Sequence, residues 1–249
     1  MTEEFPRMSF PNESSEYRQA RNVLLDAEIA LRRQTEAVAA LRRESPPGGV
    51  VPEDFEFERI GAYQQPEKVR LSGLFGDFPT LLIYSYMFGP DRDVPCSGCT
   101  HLLDCLDGAA RHVPQRAPLY IVTASPIARL AAWAHERGWS HIQPLSTAGN
   151  DYNAHYYGNT ASLTPAMRAA RGYKPDENWD EPILNVFRKD GDTIRQFWAA
   201  SWCSRLTIPN RIIAASIRST RSGACSTRPR KGAATGPRSS TTPADATLF

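Results

Sequence analysis

No stretch of this chain approaches the roughly 20 consecutive apolar residues that a membrane-spanning helix needs, so no transmembrane segment is expected. The opening residues, MTEEFPRMSFPNESSEY, are acidic and carry no apolar leader core, so a secretory signal is not expected either. Cysteine is scarce, five in 249 residues, and the odd count excludes a fully paired disulfide scaffold. The expected compartment is the reducing cytoplasm. A glycine-rich phosphate loop, a serine nucleophile elbow and an HExxH helix are all missing, so no bound cofactor is expected. Acids are missing from one end only. Residues 199–249 hold Asp245 alone against seven Arg and one Lys, a net +7, while residues 1–198 are net −5.

The remaining composition, 41% hydrophobic and 22% charged, is that of a cored soluble protein. Its most periodic segment runs from Ser14 to Arg43. There Tyr17, Leu24, Leu31 and Val38 recur every seven residues, with Ala20, Ala27 and Leu41 between them. That spacing lays one apolar stripe along a helix roughly 40–45 Å long. Asn12, Ser14 or Ser15 caps its start, and Ser45-Pro46-Pro47-Gly48-Gly49 stops it. The ordinary expectation is that it packs along its own domain; a homodimer through this helix is the alternative.

Alternation at Phe55 and Phe57 permits one short strand within Val50–Lys68. Pro118–Ala124 reads as a strand buried on both faces, followed by a helix over Ile127–Arg137 capped by Ser125 and ended by Gly138. A short strand follows at His141–Leu145. Residues 146–180 form a long polar segment with a helical turn at Met167–Arg171. Ile183–Phe187 and Thr193–Trp198 then flank Asp190-Gly191, a hairpin signal.

The remaining stretch is TLLIYSYMFGPDRDVPCSGCT, Thr80 to Thr100. The apolar run Leu81–Met87 feeds a loop that delivers Cys96 and Cys99, and a second apolar segment, Leu102–Ala110, follows. Strand, Cys-x-x-Cys and helix is how a thioredoxin-like site presents a dithiol. At the helix N-terminus, Cys96 gains from unpaired N–H groups and the macrodipole, which favour the attacking thiolate. Cys99, a turn later, resolves the mixed disulfide. Asp91 and Asp93 oppose that thiolate. A zinc reading of Cys96, Cys99, His101 and Cys105 fails on geometry, since Cys99 and Cys105 point about 240° apart on a helix; no metal is expected. The element order βαβαβ then ββ gives an α/β, three-layer thioredoxin-like fold with a mixed sheet and a long N-terminal helical extension.

The stretches FPNESSEYRQARNVLLDAEIALRR, PPGGVVPEDFEF, LIYSYMFGPDRDVPCSGCTHLLDCLDGAA, GWSHIQPLSTAGNDYN and PILNVFRKDGDTIRQFW resemble an uncharacterised bacterial family of thioredoxin-like proteins, a domain of unknown function. The resemblance implies the fold and supplies no activity. By the same analogy Pro182, just ahead of a strand, looks like the cis-proline that faces the dithiol in thioredoxins, with an ordinary trans X-Pro bond the default. Asn150 and Tyr152 fall in the long polar segment and could line a site above the dithiol; the alternative for Asn150 is a loop-stabilising Asx-type hydrogen bond. The expected organisation is a helical extension over residues 1–49, a thioredoxin-like domain over 50–200, and a basic, non-native or disordered tail over 201–249.

That tail departs from the family, whose members continue with an acidic, Pro- and Trp-containing segment. With the frame moved by one base, permitted codons let Cys203–Ser222 spell a Pro- and Asp-rich ending. The expectation is a frameshift near Ala199–Trp202. The competing reading, a nucleic-acid-binding arm, has only Phe249 for stacking after Trp202, so nucleic acid is not an expected partner. The expected function is dithiol–disulfide oxidoreductase, acting on a protein or small-molecule disulfide. The alternatives are a peroxiredoxin-like peroxide reductase and a non-catalytic binding or oligomerisation protein.

Overall fold

A computed structural model describes residues 7–61 and 64–201. The elements, in order, are α1 (Ser15–Glu44), β1 (Glu56–Ile60), β2 (Pro66–Arg70), β3 (Thr80–Ser85), α2 (Ser97–Ala109), β4 (Leu119–Thr123), α3 (Ile127–Arg137), β5 (Gln143–Ser146), α4 (Tyr152–His155), α5 (Pro165–Arg171), β6 (Ile183–Asp190) and β7 (Thr193–Ser201). A 3₁₀ turn, Leu71–Phe75, follows β2. The strands make one sheet in the order β2-β1-β5-β4-β3-β6-β7. β3, β4 and β5 run parallel at its centre, and every other pairing is antiparallel. β4 is buried at all five residues, as its unbroken apolar sequence requires of a central strand. The β3-α2-β4 unit followed by the β6-β7 hairpin is the thioredoxin-like arrangement expected from the element order.

Alternation along the central strands separates two cores. Leu81, Ile83, Tyr120, Val122 and Phe187 join Phe55, Phe57, Leu71, Leu74, Phe75, Tyr152 and Tyr156 in one. Tyr84 and Ile121 join Tyr86, Phe88, Cys99, Leu103, Leu130 and Trp139 in the other, under α2 and α3. The first is covered by the 3₁₀ turn and α4, so both sheet faces are occupied.

That occupancy explains α1. Ser14 caps the helix, its hydroxyl accepting from the Tyr17 N–H at 3.1 Å. None of its 30 residues is buried, and over ~45 Å it overhangs the body. Val38–Ala40 are partly covered near its end, where the Arg42 guanidinium lies 4.3 Å over the Trp198 ring. Packing along its own domain, the ordinary expectation, is therefore corrected: no sheet face is left for a rod. Beyond α1, the chain straps onto the edge of β7. The Gln196 N–H donates to the Gly49 carbonyl at 3.0 Å and the Val51 N–H to the Ile194 carbonyl at 2.9 Å, with Val50 bridging Arg195.

Two further differences concern β1–β2 and Ser125. Residues 50–68 were expected to hold one strand, yet β2 pairs with β1 over five residues. As an edge strand it carries Glu67, Lys68 and Arg70, with Val69 alone packed against the core, which hides it from a hydrophobic pattern. Ser125 does not cap α3, whose N-cap is Pro126; its hydroxyl donates to the Phe88 carbonyl instead. The 146–180 segment holds α4 and α5, the latter spanning the expected turn. Beyond Ser201, the end of β7, the expectations for the basic tail and its frameshift fall outside the described residues.

Candidate active site

Cys96 is the N-cap of α2 and is half-buried; Cys99 sits in the helix's first turn and is buried at 4% exposure. Its own backbone ties Cys96 to the strand end: the Cys96 N–H donates to the Met87 carbonyl at 3.0 Å. The Cys99 thiol, donating toward the Cys96 sulfur, does most to hold the Cys96 pKa down, to about 6 from an ordinary 9. Burial opposes this, while the N–H groups of Cys99 and Gly98 and the charge of Arg92 add to it. Cys99 is pushed the other way, first by sharing its proton with Cys96 and then by burial. Tyr84, itself buried, lies beside Cys99, and its phenol is raised chiefly by burial. The dithiol therefore divides into a thiolate near neutral pH and a protonated partner behind it.

A directed hydrogen-bond chain braces this turn. Trp133 Nε1 donates to the Tyr86 hydroxyl at 3.0 Å, which lies 2.7 Å from the Thr100 hydroxyl, which in turn donates to the Cys96 carbonyl at 2.9 Å. An indole only donates and a carbonyl only accepts, so the two hydroxyl protons must both point toward Cys96.

The long loop from Phe88 to Pro95 is held from three sides. Thr123 and Ser125 hydroxyls both donate to the Phe88 carbonyl. Arg129 of α3 lies 4.2 Å over the Phe88 ring and donates to the carbonyls of Gly89, at 3.2 Å, and Arg92. Asp180 accepts from the Gly89 N–H at 2.6 Å and pairs with Arg92 at 3.4 Å. Gly89 is required there, because a Cβ would meet the Asp180 oxygens at 2.7 and 2.8 Å. Asp91 and Asp93, expected to oppose the thiolate, are exposed; the loop residue that acts on Cys96 is Arg92, in the thiolate's favour.

Asn150 and Tyr152 are not brought to the dithiol. Tyr152 is wholly buried in the opposite core, its ring edge-on to Phe55 and Phe57, and its backbone N–H donates to Asn150 Oδ1 at 3.0 Å, an Asx turn. Asn150 Nδ2 donates to the Glu56 carbonyl at 2.6 Å. Both therefore belong to the far side of the sheet, which corrects their expected place above the thiols. Pro182 is buried immediately ahead of β6, beside the end of β3, and no described peptide bond is cis, so the bond before Pro182 is the ordinary trans isomer rather than the one the thioredoxin analogy offered. Cys105 is exposed while Cys99 is buried, and no described cluster of His, Cys, Asp and Glu could hold a metal. Ser140, His141 and Asp107 do not form a nucleophilic triad: the serine and the carboxylate both contact Nδ1, and Arg111 donates to Nε2 at 3.0 Å.

Sequence reasoning missed Thr100, whose place one turn after Cys96 is the local signal that marks it. Tyr86, Asp180 and the α3 residues Arg129 and Trp133 come from three separate segments, and no local spacing announces them.

Residues 8–211 match the model of a family described as bacterial protein of unknown function (DUF899). The chain belongs to that family. No curated relative matches it. Among solved structures, this DUF899 chain is similar to the peroxidoxin BcpB from Mycobacterium tuberculosis, at 18% identity and TM-score 0.45 over 62% of this chain and 84% of that one. It is also similar to the Plasmodium falciparum antioxidant protein (1-Cys peroxiredoxin), at 8% identity and TM-score 0.46 over 67% and 91%. A third is a putative thioredoxin reductase from Burkholderia cenocepacia, at 14% identity and TM-score 0.41 over 71% and 98%. At such identities nothing of their activities transfers.

Proposed function

We propose that the body over residues 50–200 is a thiol–disulfide oxidoreductase of the reducing cytoplasm, with Cys96 attacking and Cys99 resolving. The observation that carries this reading is the division of labour within one helical turn: a half-buried thiolate-favouring Cys96 backed by a buried, protonated Cys99. The Cys96 thiolate attacks one sulfur of a substrate disulfide, forming a mixed disulfide and expelling the other sulfur as a thiolate. Cys99 then loses its proton and attacks the Cys96 sulfur, releasing the second substrate thiol and leaving a Cys96–Cys99 disulfide. Two electrons pass to the substrate, and a dithiol reductant resets the pair. No helix among the described residues is long and apolar enough to cross a membrane.

The half-buried position of Cys96 also favours a small oxidant, which gives a second reading. A peroxide would transfer one oxygen to the thiolate, leaving an alcohol or water and a Cys96 sulfenic acid; Cys99 would condense with it, releasing water. Mass-shift alkylation across a redox titration, followed by single turnovers with a model disulfide and with hydrogen peroxide, tests both. The expected result is a reversible Cys96–Cys99 couple, abolished in Cys96→Ser. Thiols that never pair would sink the enzyme reading and leave a non-catalytic binding protein.

A further inference from the structure

α1 is a 30-residue helix with no buried residue, and its apolar stripe is bare. Tyr17, Leu24, Leu31 and Leu41 are 53%, 52%, 48% and 64% exposed. Written as heptads, Tyr17, Leu24, Leu31 and Val38 occupy the a positions, and Ala20, Ala27, Gln34 and Leu41 the d positions. Nothing in the described body covers this seam except partly at Val38. The residues ahead of the helix fold back onto its other side. Arg7 reaches Asp26 at 2.7 Å and the Asn22 carbonyl at 3.4 Å, and Arg18 donates to the Met8 carbonyl at 2.6 Å. Positions 18, 22 and 26 are b, f and c of the heptad, the outer face of a coiled coil. The chain thus covers what a coiled coil leaves outside and exposes what it buries.

We infer that α1 pairs with α1 of a second copy of this chain as a parallel, in-register, two-stranded coiled coil. Two features select this occupant and orientation. Gln34 is the one polar residue in the seam. In a parallel pair it meets Gln34 of the second copy, amide to amide; in a fully overlapped antiparallel pair it would face Leu24 and lie unpaired in an apolar layer. The flanking charges agree. Parallel packing sets Glu16, at g, against Arg21 of the second copy, at e, twice over and creates no like-charge pair. Antiparallel packing sets Glu28 against Glu28 and Glu16 against Glu44. The surface is separate from the dithiol, so either proposal can fail alone.

Sedimentation equilibrium on the full chain tests association. A dimer is expected, weakened about a hundredfold or more by Leu31→Glu, which places two charges in one layer, with the pH dependence of Cys96 alkylation unchanged. A chain that stays monomeric at every concentration overturns the proposal, as does a Leu31→Glu variant that dimerises like the parent. Orientation is read from Leu24→Cys under mild oxidation, with tryptic mass spectrometry assigning the bridge. A bridge between position 24 and position 24 of the second copy is expected. A bridge formed only when Leu24→Cys is mixed with Gln34→Cys overturns the parallel register.

Discussion

Thr100 donates twice to the carbonyl of Cys96, through its backbone N–H at 2.9 Å and its hydroxyl at 2.9 Å. The second bond is the end of the chain that begins at Trp133, so removing it also strips the Tyr86 hydroxyl of its acceptor. Thr100→Val is therefore expected to cost about 1–2 kcal/mol in urea unfolding, while Thr100→Ser keeps most of the stability. A valine variant as stable as the parent would show that the chain contributes nothing.

Iodoacetamide alkylation of Cys96 is expected to rise with a midpoint near pH 6, against an ordinary thiol value of 9. Cys99→Ala removes the largest cause of that depression, so the midpoint moves upward. Stability follows the same linkage. Because the folded value is the lower one, the thiolate contributes stability that is fully present above the unfolded pKa and is lost as pH falls toward 6. Melting temperatures of the reduced protein between pH 9 and 5 should therefore fall more steeply than those of Cys96→Ala. Equal slopes would contradict the assignment.

Adjacent glycines should respond in opposite ways. A Cβ at Gly48 would lie 2.0 Å from the Gln196 carbonyl oxygen, whereas one at Gly49 meets nothing within 4 Å. Gly48→Ala is expected to destabilise by about 1–3 kcal/mol, because the strap must lift from β7. Gly49→Ala stays within about 0.5 kcal/mol of the parent or gains slightly. Chemical denaturation of the pair gives the comparison.

Asp107 gathers the turn between α3 and β5. Its Oδ1 accepts the backbone N–H groups of Ser140, His141 and Ile142 at 3.0, 2.9 and 3.0 Å. Burial tends to raise this carboxyl, yet the donors of His141 and Ile142 bring it below its usual range. Its contribution is accordingly present at neutral pH and lost in acid, as pH falls through the depressed value. Asp107→Ala should cost about 2–4 kcal/mol at pH 7, with the gap from the parent closing in acid. A pH-independent difference would argue for packing alone.

The strand leading to the dithiol, the central buried β4, the Asp190-Gly191 hairpin and the capped rod could all be read from residue order, because each rests on a local period or turn. β2 could not, since an edge strand needs no apolar face. Tyr152 misled for a related reason. An aromatic in a polar segment suggests a site lining, but here it inserts into a core whose other members, Phe55 and Phe187, lie 97 residues behind it and 35 ahead. Asp180 and Gly89 are equally remote in sequence, and only folding makes them partners.

The strap from Gly48 to Val51 joins the rod to the body and also occupies the outer hydrogen-bonding positions beside Ile194 and Gln196. The opposite border, β2, is short and studded with charge, which by itself discourages stray strand addition. β7 has its linker in that protective role. Traction on the rod, whether from a bound neighbour or from a tether, would peel away a guard strand and bare main-chain donors and acceptors to aggregation. Anchoring the rod and keeping the sheet from polymerising are thus one mechanical problem, solved by the same four residues.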